Sequence, residues 1–215
     1  MTGFFAHLDG VSSGLLLVSA LGFVIYLVML GRPTSVPRTV AKTVAVGALA
    51  ALAYQAGGPM LLVLALALSA LGDAFLAHEG DVAFLGGLGS FLAAHIAYAV
   101  LFFSSGPGLA AAPLPGLLAV IVFALGMGFL MVRNAGPLAL PVAAYVLAIA
   151  CMGLGGVMLG GLVVIGVGLF MASDAILGSE KFLMPQTSPL LRLTSPAVWV
   201  LYFAGQLLIT LGLLA

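Results

Sequence analysis

Only six acidic side chains occur in 215 residues, and two of them lie inside apolar stretches where a carboxylate is costly. Asp73 and Asp174 each sit about one turn or more before the end of an apolar run, roughly 6–9 Å inside it if the run is helical. Insertion scales put an ionised Asp at the centre of a membrane span at about 2.5–3.5 kcal/mol unfavourable. Such a group must face a wet cavity, hold a cation or take up a proton. One Asp near a helix end can reach water by itself, but two in equivalent settings point to a shared polar cavity. His95 lies within a third apolar run, with Tyr98 one turn further on and Ser90 more than a turn before it. That depth lets it line the same cavity, where an imidazole can orient water or a carboxylate. Intramembrane carboxylates and a histidine suit proton transfer, either in catalysis or in transport.

The elements that must position these groups follow from composition. The chain is 64% hydrophobic and 6% charged, with a mean hydropathy of +1.34, whereas a soluble domain carries about 25% charged residues. The missing charge means that the solvent is lipid. Turn formers and charges divide the chain into eight apolar stretches at approximately 12–30, 39–56, 59–78, 83–104, 114–132, 137–153, 156–177 and 195–214. The break between the sixth and seventh is expected at Gly153 to Gly156. Barrel strands are excluded, because the runs are continuous and do not alternate over about ten residues. The expected fold is an all-α membrane protein, a single domain over 1–215 with eight transmembrane helices. The first apolar run, Gly14 to Leu30, lacks a positive flank before it and is expected to be retained. Small-residue pairs four apart, such as Gly86/Ser90 and Gly156/Gly160, predict close helix packing, and Gly-rich faces could also pair two copies as a homodimer.

All six cations fall in alternate loops: Arg32, Arg38 and Lys42, then Arg133, then Lys181 and Arg192. The positive-inside rule therefore places both termini outside the cytoplasm. Lys42, Arg133, Lys181 and Arg192 would ring the cytoplasmic mouth, touching lipid head groups or holding a substrate phosphate. A zero net charge excludes a nucleic-acid partner. The single Cys151 allows neither an internal disulfide nor a cysteine-based metal site. His7, His78, Glu79, Asp81 and Glu180 are read as solvated, and Tyr26, Tyr54, Trp199 and Tyr202 as interfacial or packing aromatics. The stretches Leu71–Glu79 and Ala172–Glu180 both contain Asp-Ala-x-Leu-x-x-Glu and end the third and seventh runs, predicting a parallel 4+4 repeat.

Several segments resemble the YhhN-like integral membrane family, the lysoplasmalogenases. They are Leu71-Gly72-Asp73, the Phe84–Tyr98 stretch with its Ser90-Phe91-Leu92 and His95-x-x-Tyr98 elements, and Phe170–Leu177 followed by Lys181-Phe182. Tyr145, Tyr202 and Gln206 fit the family's sixth and last spans. The chain departs from the pattern at Lys42-Thr43, where Lys-Pro is usual, and at Glu180, where an amide is usual. The resemblance implies cofactor-free and metal-free hydrolysis of the vinyl ether of a lysoplasmalogen, to a fatty aldehyde and glycerophosphoethanolamine or glycerophosphocholine. The substrate would be a lysophospholipid among membrane lipids; the setting expected from the chain's brevity and lack of targeting segments is a bacterial inner membrane. A vinyl ether reacts after protonation of its β-carbon, which leaves an oxocarbenium ion for water to attack. Two carboxylates serve this chemistry, since burial and mutual repulsion keep a proton on one while the other stays ionised. The implied roles are Asp73 and Asp174 as the acid–base pair and His95 as the orienting group. Lys42 and Lys181 would serve the phosphate and Tyr98 and Gln206 the glycerol, with Tyr202 also binding substrate. Competing readings are a small proton-coupled transporter using Asp73, Asp174 and His95, a metal-dependent hydrolase of the ceramidase type, and an intramembrane aspartyl protease.

Overall fold

The computed structural model describes residues 9–215, so His7 lies outside the described residues. Among the described residues, eight α-helices follow one another. Helix α1, Gly10–Met29, starts at Asp9, whose carboxylate accepts the Ser12 backbone N–H at 2.7 Å. That bond holds the Asp9 carboxyl below the usual carboxylate range. Next come α2, Val36–Gln55, with Pro37 in its first turn, α3, Met60–Leu76, and α4, Asp81–Ser105. The second half holds α5, Leu114–Asn134, α6, Ala139–Leu159, α7, Gly161–Phe182, and α8, Leu191–Leu214. Among the described residues, seven apolar segments are long enough to cross a membrane; α3, at 17 residues, is a shorter apolar helix. The described residues contain no strand.

Two expectations about breaks need correction. Helix α6 does not end at Gly153 but runs to Leu159, and the chain turns at Gly160 and Gly161, both with positive φ (+68° and +55°). Glycine count alone did not separate breakers from packers. Gly153, Gly155 and Gly156 are buried within α6, where side chains of Met171, Phe102 and Val167 come against them. Gly160 accordingly turns the chain and packs nothing, since no atom lies within 4 Å of where its Cβ would be. Helix α8 starts at Leu191, so Pro196 lies inside it and not before it. Gly86 is a packing glycine as expected, with the Phe75 ring 2.7 Å from the point a Cβ would occupy. The tightest crossing is one the spacing did not single out: Gly166 of α7 faces Gly205 of α8 backbone to backbone.

Helices α1 to α4 pack in sequence, as do α5 to α8, and the two sets join where α4 meets α6 and α8 meets α2. One hydrophobic cluster built on Leu49, Leu66, Phe102, Met152, Phe170 and Trp199 draws buried residues from every helix except α5, which only lays the half-buried Val120 and Phe123 against it. Helix α5 stands at the margin, with only Ala124 and Met131 buried, and Met131 forms a small second cluster with Ala135 and Val142. Leu17, Val28, Val122 and Leu140 project outward and exposed. In water that pattern would be costly; it suits a lipid-facing surface.

Candidate active site

Asp73 lies in the last turn of α3 and is 1% exposed. Its neighbour Gly72 has no side chain, which lets the Phe91 ring of α4 press onto α3, 2.6 Å from where a Cβ would be. Both carboxylate oxygens of Asp73 are engaged. Oδ1 is 3.5 Å from Nζ of Lys42 on α2, and Oδ2 accepts the hydroxyl of Tyr202 on α8 at 2.7 Å. The Lys42 ammonium also sits 5.4 Å from the centroid of the Tyr26 ring. The cation and the hydroxyl donor both favour the ionised form of this carboxylate, against its burial.

Asp174 on α7 is arranged differently. Its Oδ2 accepts the hydroxyl of Tyr145 on α6 at 2.8 Å and lies 3.3 Å from Nε2 of His95 on α4. No hydrogen bond reaches Oδ1 among the described residues. His95 is fully buried, and its Nδ1 is 2.6 Å from the Phe91 carbonyl oxygen, which can only accept. Nδ1 therefore carries a hydrogen, and Nε2, which makes no aligned hydrogen bond, points its remaining valence at the carboxylate. A neutral imidazole and an ionised carboxylate would then oppose lone pairs. One additional proton, on Nε2 or on the carboxyl, removes that repulsion, so the geometry accommodates a one-proton pair.

Two cavities meet at Asp174. A polar one of about 220 Å³ is lined by Arg38, Lys42, Asp73, Glu180, Ser195 and Tyr202, among others. An apolar one of about 80 Å³ lies between α4, α5, α6 and α7, with Phe84, Leu88, Met127, Val146 and Tyr145 in its walls. Leu76, Phe91, Asp174 and Leu177 border both. Asp73 and Asp174 thus share the polar cavity, with Asp174 at its boundary to the apolar one.

The remaining expected site residues are placed elsewhere. Tyr98 and Gln206 are fully buried and border neither cavity. The Tyr98 hydroxyl donates to Oε1 of Gln206 at 2.5 Å, because two polar groups in an apolar interior satisfy each other first. Lys181 borders the apolar cavity, its Nζ 4.4 Å from the Phe84 ring centroid, and not the polar one. Arg133 and Arg192 are exposed and border neither. Arg38 takes the place they were expected to fill.

Glu180 is not simply solvated: it is half-buried, lines the polar cavity and accepts the Ser195 hydroxyl at 3.1 Å. Helical spacing carried this signal. Ser173 and Glu180, two turns apart, face the polar cavity, Gly178 and Lys181 face the apolar one, and Asp174 and Leu177 border both. Two further residues at the site have no role assigned from sequence: Tyr26, which reads as an interfacial or packing aromatic, and Tyr145, which only the family resemblance picks out. Glu79, Asp81 and His78 are exposed, as expected. Among the described residues no three His, Cys, Asp or Glu side chains converge as a metal site would need.

The sequence matches the YhhN family over residues 37–213, a range containing Lys42, Asp73, His95, Tyr145, Asp174 and Tyr202. The chain belongs to the YhhN family. It is 37% identical over 161 residues to the human lysoplasmalogenase TMEM86B, an alignment covering 74% of this chain. The chain spans 65% of that relative's length. No solved structure matches this YhhN-family chain.

Proposed function

We propose that this protein is a membrane hydrolase that cleaves the vinyl ether of lysoplasmalogens, with Asp174 as the general acid and Asp73 as a fixed anion. The observation that carries the reading is the junction at Asp174. A carboxylate with one free oxygen stands between a polar cavity suited to a head group and an apolar cavity suited to a hydrocarbon chain. An amphiphile lying across that boundary puts its first ether bond beside the free oxygen. Family membership and the human relative's name support the same substrate class.

The chemistry divides between the two carboxylates. Protonated Asp174 gives its proton to the β-carbon, and the double-bond electrons form that C–H bond, leaving an oxocarbenium ion. Asp73, whose ionised form Lys42 and Tyr202 favour, stabilises the cation. Water adds to the α-carbon and returns a proton to Asp174. The hemiacetal then collapses: its hydroxyl proton leaves as the glycerol oxygen takes one, and Asp174 ends protonated. The net change is addition of one water. Tyr145 and His95 hold Asp174 through Oδ2, so that Oδ1 alone turns toward the substrate. This differs from a symmetric pair sharing one proton, because both oxygens of Asp73 already have partners.

A parallel repeat fits the same site. Exchanging the first four helices for the last four maps the α4–α6 contact onto α8–α2. The same exchange maps Asp73, held from α2 and α8, onto Asp174, held from α6 and α4. The charged loops support a cytoplasmic location for this end of the bundle, with both termini on the other side. The direct test is incubation of purified protein with a lysoplasmalogen and, in parallel, an acyl lysolipid. Free aldehyde from the first and no fatty acid from the second is expected. Proton flux in proteoliposomes without any aldehyde would replace the hydrolase with a transporter.

A further inference from the structure

The charges lining the polar cavity do not all have partners. Lys42 pairs with Asp73. Arg38 and Glu180 border the same cavity, and among the described residues neither has an opposite charge within 4.0 Å. Arg38 is half-buried; its Nε is buried without a hydrogen-bond partner, and its Nη1 reaches only the Ala77 carbonyl, at 3.4 Å. Its guanidinium lies 5.5 Å from the Tyr26 ring centroid. Glu180 receives one hydroxyl, from Ser195. Lys181, next in the chain, turns into the other cavity against Phe84 and leaves Glu180 without a counter-ion. Half-buried charges are stable when paired or solvated, and here a cation and an anion are held apart across one chamber.

We infer that Arg38 and Glu180 form a subsite for a zwitterionic phosphoamine head group, the guanidinium taking the phosphate and the carboxylate taking the amine. Guanidinium presents a planar fork that matches phosphate oxygens. A carboxylate in a cavity that Trp199 also lines suits an ammonium whether or not it is methylated. The assignment rests on the hydrolase reading for the identity of the lipid, and binding can be measured without hydrolysis.

The probes are saturated ether lysolipids with no vinyl bond, carrying phosphocholine or phosphoglycerol, titrated calorimetrically into detergent-solubilised protein. The native protein should bind the phosphocholine lipid about tenfold more tightly than the phosphoglycerol lipid, a difference of about 1.4 kcal/mol. Glu180→Gln, which keeps an acceptor for Ser195, should erase that ratio by weakening only the phosphocholine lipid. Arg38→Gln should weaken both lipids about equally and preserve the ratio. Water-soluble glycerophosphocholine should bind at least about a hundredfold more weakly than the lipid; equal affinity would overturn the lipid as the source of the head group. A ratio unchanged in Glu180→Gln, or affinities unchanged in Arg38→Gln, would overturn the subsite. Head-group discrimination without aldehyde release from a vinyl-ether lipid would remove the hydrolase reading and leave the subsite. Aldehyde release with equal affinity for both head groups would do the reverse.

Discussion

Asp174→Asn separates chemistry from folding at this site. An amide has no proton to transfer, and loss of a general acid costs about 10²–10⁴ in kcat, or about 3–5.5 kcal/mol of barrier. The structural cost is smaller. In the native protein both contacts fall on Oδ2, the Tyr145 hydroxyl at 2.8 Å and His95 Nε2 at 3.3 Å. Asparagine can present its carbonyl to Tyr145 or its N–H to the bare Nε2, keeping one contact and losing one, at about 1 kcal/mol. The variant should therefore unfold close to the native temperature in detergent, bind a saturated ether lysolipid normally, and release aldehyde at least about a hundredfold more slowly at unchanged KM. Product made by the native enzyme in D₂O and trapped by reduction should carry one deuterium on the carbon next to the former aldehyde carbon. Retention of more than about a tenth of native kcat by Asp174→Asn, or no deuterium at that carbon, would refute acid catalysis by Asp174.

Three other perturbations test neighbouring contacts. Asp73→Asn leaves the Lys42 ammonium, whose side chain is 11% exposed, without its counter-ion. It should lose about 3–5 kcal/mol of stability, read by thermal unfolding, and adding Lys42→Met should recover most of the stability but none of the activity. Tyr145→Phe removes the aligned donor to Asp174 and should lower kcat about 10–100-fold, whereas Tyr98→Phe, outside both cavities, should lower stability through the stranded Gln206 carbonyl and leave kcat within a few-fold. Gly205→Leu places atoms against the Gly166 carbonyl, 2.7 Å from the new Cβ. Backbone cannot step aside, so α7 and α8 must separate; a loss of about 1–3 kcal/mol is expected, with reduced activity because Asp174 and Tyr202 ride on those helices.

Composition and local pattern were enough to establish an all-helical membrane chain, since low charge and long apolar runs admit few alternatives. They also singled out Asp73, Asp174 and His95, because a polar group in an apolar run is costly wherever the run packs. Direction and partnership were another matter. Which glycines turn the chain depends on backbone angles, so Gly153–Gly156 read as a break while Gly160 and Gly161 made it. Lys42 meets Asp73, and Tyr145 meets Asp174, across separations of about thirty residues that no spacing rule encodes. Arg38 and Glu180 look like ordinary interfacial charges until helix packing turns them into one chamber. A sequence records what each position would cost if left unpaired, whereas only the packed bundle determines which partner meets that cost and which oxygen remains free.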